Sequence, residues 1–467
     1  MAFNSASFFV FWFILYWFYL GFSQKPTART WVLLLANIWF FTFLSGYAVF
    51  VLILSALLDF YLAKRIYSAK SDSAKTLLLS VSIAVNIGLI LFFKHIYDWF
   101  GLGDVGIFHF IGVSFYAFRS LGYVFDVYFE NNDTPETNAI RYLTYASYFP
   151  LILSGPIAPS EEFLNQLKKP LVITKSQLSK GSYLIALGVV KKFILGNYLA
   201  YNFVNRVFES WEFFTAMELF FASIIQTFYL YLDFSGYTDM VVGMSLLLGI
   251  NILENFNFPF ISQNITEYWK RWHISLSKWF NQNLYFPLSY QFRSLKKWGT
   301  SLSVFIVFII SGFWHGTSVN YWFWGMLHAL AMVWDIFTGD VRSKIKTIIP
   351  KSMYRFVSIV LTFTFLVFSG IYFKANSFEI ANGIILKIGT ELDFSLITDW
   401  IKLYPWVLII TLIVAVFQFT LGGIYPKIEQ KIESIHWIIF AFLMVIIIFI
   451  AYQFEKSSPL PFYYLKY

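Results

Sequence analysis

The chain has 467 residues, 58% hydrophobic, 22% aromatic and only 13% charged, with a formal net charge of +8. A water-soluble globule of this make-up would expose large apolar patches, so the composition excludes one and implies an all-α polytopic membrane protein. Lys and Arg collect in short connectors between apolar runs, as the positive-inside rule produces, so the basic balance reports topology and not a nucleic-acid partner; with no cysteine, disulfides, thiol nucleophiles and thiolate metal sites are excluded.

In chain order, the run at 8–22 lacks the basic flank and small-residue cleavage site of a signal peptide and reads as a retained helix. Runs that span or nearly span a bilayer follow at 31–44, 47–63, 76–93, 106–128, 138–154, 182–205, 213–233, 299–314, 319–337, 353–373, 402–420 and 436–454. The stretches 236–253 and 376–389 are too short or too polar to assign. Basic connectors lie at Gln24 to Arg29, Lys64 to Lys75, Lys168 to Lys180, Arg293 to Lys297, Arg342 to Arg355 and Lys427 to Lys431. Placing them in the cytoplasm puts both chain ends outside, with the tip from His315 to Asn320 reached from the outer side. With no internal repeat and no loop long enough for a soluble domain, residues 1–467 read as a single integral-membrane domain, and any chemistry is intramembrane. The two halves show no inverted symmetry, which weighs against a secondary transporter.

Ionisable groups inside such segments are costly and mark functional candidates. Arg119 and Asp126 are seven apart on one helical face, which suits a buried ion pair or the lining of a polar channel. Asp233 and Asp239 bracket Ser235 and Gly236, which reads as a break between two helices lining a cavity. Proton-coupling carboxylates and acids that fix a broken helix are both consistent with that spacing.

Three of the six histidines, His273, His315 and His328, fall between Asn257 and Leu330. Histidine exchanges a proton near neutral pH, so the cluster points to catalysis. In 265–280, Ile265, Tyr268, Trp269, Trp272, Leu276, Trp279 and Phe280 recur at helical spacing, with Glu267, Lys270, Arg271 and Lys278 away from them. That predicts a helix lying flat at the membrane interface with His273 at the edge of its apolar face, where an anchor with an incidental histidine is the plain alternative. His315 closes one apolar run between Gly312 and Gly316, and His328 lies inside the next. Each could instead be a hydrogen-bonded core histidine. A three-histidine metal site lacks a nearby carboxylate or a close-spaced pair, so no metal is assigned.

The elements DFSGYTDM, ENFNFPFISQNITEYWKRWHISLSKWF and GFWHG, with GVSFYAFRSLGYVFDVY and YFPLILSGPI upstream, resemble the membrane-bound O-acyltransferases. The likeness is to the bacterial branch that contains the alginate and peptidoglycan O-acetylation proteins and the teichoic-acid D-alanylation protein. It is close over about 105–340 and extends to the flanks in hydropathy. It implies about eleven transmembrane helices with re-entrant and interfacial pieces around a central cavity. It also implies that His315, next to Trp314, is the principal catalytic histidine and that His273, next to Arg271, is a second functional one, with His328 in a secondary or positioning role.

The tail over 459–467 ends in Pro461 to Tyr467 and resembles the short aromatic tail on which the family is thought to carry an acyl group, here on Tyr464. Leu465 and Tyr467 depart from that pattern, leaving Tyr463 or Tyr467 as alternative carriers, and an interfacial aromatic anchor is the plain reading. Acetyl-CoA is too large and charged to cross lipid, so only the acyl group has to pass from the cytoplasm to an external hydroxyl. The resemblance therefore implies acetyl-CoA as co-substrate with no bound cofactor, a bacterial cytoplasmic-membrane location in contact with lipid, and an exported SGNH-type esterase or transferase as partner. D-alanyl transfer to teichoic acid and transport of a polysaccharide or lipid are the competing expectations, the first disfavoured because that system keeps its tail on a separate chain.

Overall fold

A computed structural model describes residues 6–96, 110–130, 134–420, 422, 431 and 437–457. Among these the regular structure is helical throughout: α1 (Ala6–Gly21), α2 (Pro26–Ser45), α3 (Ala48–Ser68), α4 (Asp72–His95), α5 (Val113–Tyr128), α6 (Ala139–Ala146), α7 (Ser160–Lys168), α8 (Lys175–Glu209) and α9 (Ala216–Leu247) come first. After a loop come α10 (Ile265–Trp269), α11 (Ile274–Phe280), α12 (Lys297–His315), α13 (Val319–Ile348), α14 (Lys351–Lys374), α15 (Phe378–Glu391), α16 (Ile397–Leu403), α17 (Pro405–Thr420) and α18 (Trp437–Ser457). Among the described residues α2, α4, α8, α12 and α14 are each long and apolar enough to cross a bilayer, and the pair Phe394–Leu403 and Pro405–Thr420, bent by 100°, makes a sixth candidate. The chain is an all-α, multi-pass membrane protein.

Two compact units are present, residues 1–185 with 238–253 and residues 186–237 with 254–467. The first is organised around polar side chains that satisfy one another inside apolar helices. Asp59 accepts from Ser82 (2.6 Å), Asn86 (2.8 Å) and Ser120 (2.6 Å), so a buried carboxylate is surrounded by donors. Arg119 donates to the carbonyl oxygens of Tyr145 and Tyr148, and Asp126 accepts from Ser160. These two candidates for a buried ion pair or a channel lining thus have structural partners.

The expected span over 138–154 is broken in the structure. Helix α6 ends at Ala146 and a separate turn covers Phe149–Ile152, because Pro150 cannot donate to a continuing helix. Asn37 serves the interruption, accepting from the Phe149 amide and donating to the Thr144 carbonyl at 3.1 Å each.

Two further expectations are corrected in the second unit or at its edge. Helix α9 runs unbroken for 32 residues through Asp233 to Gly236, where a break was expected. Gly236 is small because α8 presses against it: a Cβ there would lie 2.8 Å from the Gly188 carbonyl oxygen. Asp233 pairs with Lys192 of α8, and both are buried. The segment 265–280 is not one flat helix. It splits into α10 and α11 at His273, whose φ of 44° is left-handed. Its apolar side chains are mostly buried within the protein, where a face at the membrane interface was expected, whereas Lys270 and Lys278 are exposed.

Candidate active site

The hairpin of α12 and α13 places two of the three histidines. Its helices touch backbone to backbone at two glycines: a Cβ on Gly325 would meet the Phe308 carbonyl oxygen at 2.6 Å, and one on Gly312 would meet that of Tyr321 at 2.7 Å. This close approach sets Trp324 of α13 against the last residue of α12, His315. The buried imidazole of His315 has the Trp324 ring edge-on at 5.0 Å and 87°, Phe373 of α14 at 4.9 Å and 82°, and Trp314 at 4.5 Å. Asn320 fixes the start of α13 to the end of α14 by donating to the carbonyls of Tyr372 (3.0 Å) and Ala375 (2.8 Å).

His328 lies one helical turn beyond Trp324, with ring centres 4.7 Å apart. Its Nδ1 receives the indole N–H of Trp269 at 3.3 Å, and its Nε2 lies 3.2 Å from Ser369 Oγ. Ser369 in turn donates to the Leu366 carbonyl. Both ring nitrogens are therefore engaged, which matches the core, inter-helix reading of this residue.

His273 is held by its backbone. The Asn255 carbonyl accepts from the Ile274 amide at 3.0 Å, the Asn255 side chain accepts from the Ser275 amide at 3.0 Å, and the Arg271 carbonyl accepts from the Asn257 amide at 2.9 Å. These bonds clamp the residues on either side of the left-handed position. The ring packs edge-on against Phe234 at 4.8 Å and is 1% exposed. It lies outside the candidate spans, and burial lowers its pKa to about 3, so it is neutral at physiological pH. Arg271 is paired with Glu267 at 3.0 Å and donates to the Asn257 carbonyl at 3.1 Å. Helix α10 is pinned to α13 where Asp335 accepts from the amide and hydroxyl of Thr266, both at 2.9 Å.

His273, His315 and His328 line one cavity of about 50 Å³ together with Gln226 and Thr227 of α9 and Ser369 of α14. A neighbouring cavity of about 550 Å³ shares the walls Trp269 and Leu276 with it and is largely apolar, with Lys270 and Lys278 among its lining. Among the described residues no group of three or more His, Cys, Asp or Glu side chains is placed to hold a metal ion. Of the residues singled out by the sequence motifs, the three histidines line the smaller cavity, whereas Arg271 and Trp314 are not among its lining. Gln226, Asn255, Trp324 and Ser369 lie outside those motifs' expected roles, although an amide inside the apolar run ELFFASIIQTFYLYL is a readable signal for Gln226. Tyr463, Tyr464 and Tyr467 lie outside the described residues.

A cavity with several buried histidines inside a multi-pass helical protein suits intramembrane proton transfer, and this chain is similar to known acetyl- and alanyl-transferring proteins. It is 26% identical over 405 residues to a peptidoglycan O-acetyltransferase of Helicobacter pylori, covering 79% of this chain and 75% of that protein. It is 33% identical over 272 residues to a probable alginate O-acetylase, AlgI, of Pseudomonas aeruginosa, covering 58% of this chain and 50% of that protein, so it spans about half the length of this relative. A teichoic acid D-alanyltransferase of Bacillus subtilis is 30% identical over 288 residues, 58% of this chain and 70% of that protein. Residues 128–373, which contain all three cavity histidines, match the membrane-bound O-acyltransferase family, and with more than half of its length matched the chain belongs to that family of acyltransferases.

Proposed function

We propose that the protein takes an acetyl group from cytoplasmic acetyl-CoA, carries it through the bacterial cytoplasmic membrane and delivers it, through Tyr464 and an exported SGNH-type partner, to hydroxyls of a cell-envelope polysaccharide such as peptidoglycan. The observation that carries this reading is the convergence of His315 and His273 on one small buried cavity within the family-matched region. His315 is the general base. The attacking hydroxyl oxygen bonds to the thioester carbonyl carbon while its proton passes to His315; the carbon–sulfur bond then breaks and the leaving thiolate takes that proton. The larger adjoining cavity is the route assigned to the donor's arm, and Lys270 and Lys278 supply cations for donor phosphates. Arg271, already paired with Glu267, supports the loop that holds His273.

D-alanyl transfer is the second reading, carried by the likeness to the D-alanyltransferase. A D-alanyl group brings an ammonium, and burying one without an acidic partner is unfavourable. The small cavity has no acidic side chain among its lining residues, which favours the neutral acetyl group. Purified protein incubated with labelled acetyl-CoA tests the proposal. Label appearing on the protein or on an added glycan hydroxyl supports it. Uptake of unmodified glycan or lipid into vesicles without label transfer, or transfer from a D-alanyl carrier alone, overturns it.

A further inference from the structure

Gln226 stands in the middle of α9 in an apolar sequence and is 2% exposed. Neither its Nε2 nor its Oε1 has a hydrogen-bond partner among the described residues. A buried amide left in this state is unfavourable and persists where another group completes it. Three other polar groups lining the cavity are already engaged. Thr227 donates to the Ser223 carbonyl of its own helix, Trp269 donates to His328, and Ser369 bonds both His328 and the Leu366 carbonyl. Gln226 lines the same cavity of about 50 Å³ as His315 and His273. It therefore offers an N–H donor at the place where the proposed reaction occurs.

We infer that Gln226 binds the carbonyl oxygen of the acyl group and stabilises the negative charge that develops there; this rests on the acyl-transfer reading above. As the hydroxyl oxygen attacks, the carbonyl π electrons move onto oxygen and the hydroxyl proton passes to His315. The Nε2–H of Gln226 bonds that oxyanion. When the carbonyl re-forms, the carbon–sulfur bond breaks, the thiolate takes the proton from His315, and an ester and a free thiol leave. The bond to Gln226 is strongest while oxygen carries charge, so the residue acts on the chemical step more than on binding.

The test uses full-length protein in detergent with acetyl-CoA as donor, with and without peptidoglycan fragments, follows the first turnover of thiol release together with acetylation of the protein or the fragments, and compares Gln226→Leu and Gln226→Met with the parent. Removing one such donor should lower the first-turnover rate at saturating acetyl-CoA about a hundredfold or more and leave the half-saturating acetyl-CoA concentration within a few-fold. Thermal unfolding separates this from a packing role. Replacing an uncompleted buried amide by an apolar side chain should leave the melting temperature unchanged or raise it, whereas a structural Gln226 would lower it. A near-parental first-turnover rate in either variant overturns the inference, as does a loss of activity that tracks a lower melting temperature in both. If the parent transfers acyl groups and the variants do too, this inference alone fails; if the parent transfers none, the acyl-transfer reading fails and this inference with it.

Discussion

Trp269 gives its indole N–H to Nδ1 of His328 across 3.3 Å, and because an indole nitrogen can only donate, that histidine nitrogen is the unprotonated one. The proton of the neutral ring is then on Nε2, where Ser369 Oγ accepts it at 3.2 Å. A histidine with both nitrogens committed braces α10, α13 and α14 around the cavity and leaves His315 to move protons. Ser369→Ala should therefore destabilise the protein by about 1–3 kcal/mol through the orphaned Nε2–H. Thermal unfolding in detergent measures this. A stability equal to the parent's, combined with loss of catalysis, would instead make His328 a proton carrier.

His315→Ala removes the group that the mechanism uses as base. The rate of acyl transfer should fall about a hundredfold or more, while the protein still inserts and elutes as a single species. Trp324 and Phe373, which pack on His315, also pack on each other with ring centres 5.1 Å apart, so lost activity should not come with lost folding. Parental product yield from a well-expressed His315→Ala protein would remove it from the mechanism.

Hydropathy and the histidine motifs carried the class of fold and much of the cavity, because apolar helices and intramembrane histidines leave strong local signals. What stayed hidden was what depends on partners distant in sequence. The unbroken course of α9 through Asp233 follows from Lys192 and the Gly188 carbonyl on another helix, which no local pattern contains. The split between α10 and α11 follows from Asn255, some residues upstream of His273, bonding the backbone just after it. The roles of Trp324 and Ser369 likewise appear only once α13 and α14 are side by side.

The buried pair Lys192 and Asp233 gives a sharp stability prediction, since removing one partner leaves an uncompensated charge in a low-dielectric interior. Asp233→Asn should cost about 3–5 kcal/mol, and the double change Asp233→Leu with Lys192→Met should recover most of it. Melting temperatures of the three proteins provide the check. If the double variant recovers the parent's stability but transfers nothing, the pair has a functional role that packing does not replace; if it unfolds as easily as Asp233→Asn, the stability account fails.

His273 links stability to pH. In the unfolded chain it titrates near 6.5, but burial depresses its folded pKa to about 3, so the unfolded state binds the proton more readily over that interval. Its contribution to stability is intact above about 6.5 and is lost progressively as pH falls towards about 3. Substituting His273→Phe should flatten that part of the stability profile. An unchanged slope of melting temperature against pH between those values would show that the group is not buried neutral.

The tail carries the riskiest prediction. An acyl relay needs a nucleophilic hydroxyl on a segment able to reach the cavity, and phenylalanine keeps the ring of tyrosine while removing that hydroxyl. Tyr464→Phe should abolish acetylation of the external acceptor without altering insertion, and Tyr463→Phe and Tyr467→Phe should be tolerated. Intact-mass and peptide analysis after incubation with acetyl-CoA, in the absence of an exported partner, should find one acetyl group on the peptide containing Tyr464, and none in Tyr464→Phe. In Tyr464→Phe with His315 intact, full activity and no adduct on any tail tyrosine would mean that the acceptor hydroxyl enters the cavity directly. The base assigned to His315 would stand in that case, with the glycan itself as the first nucleophile.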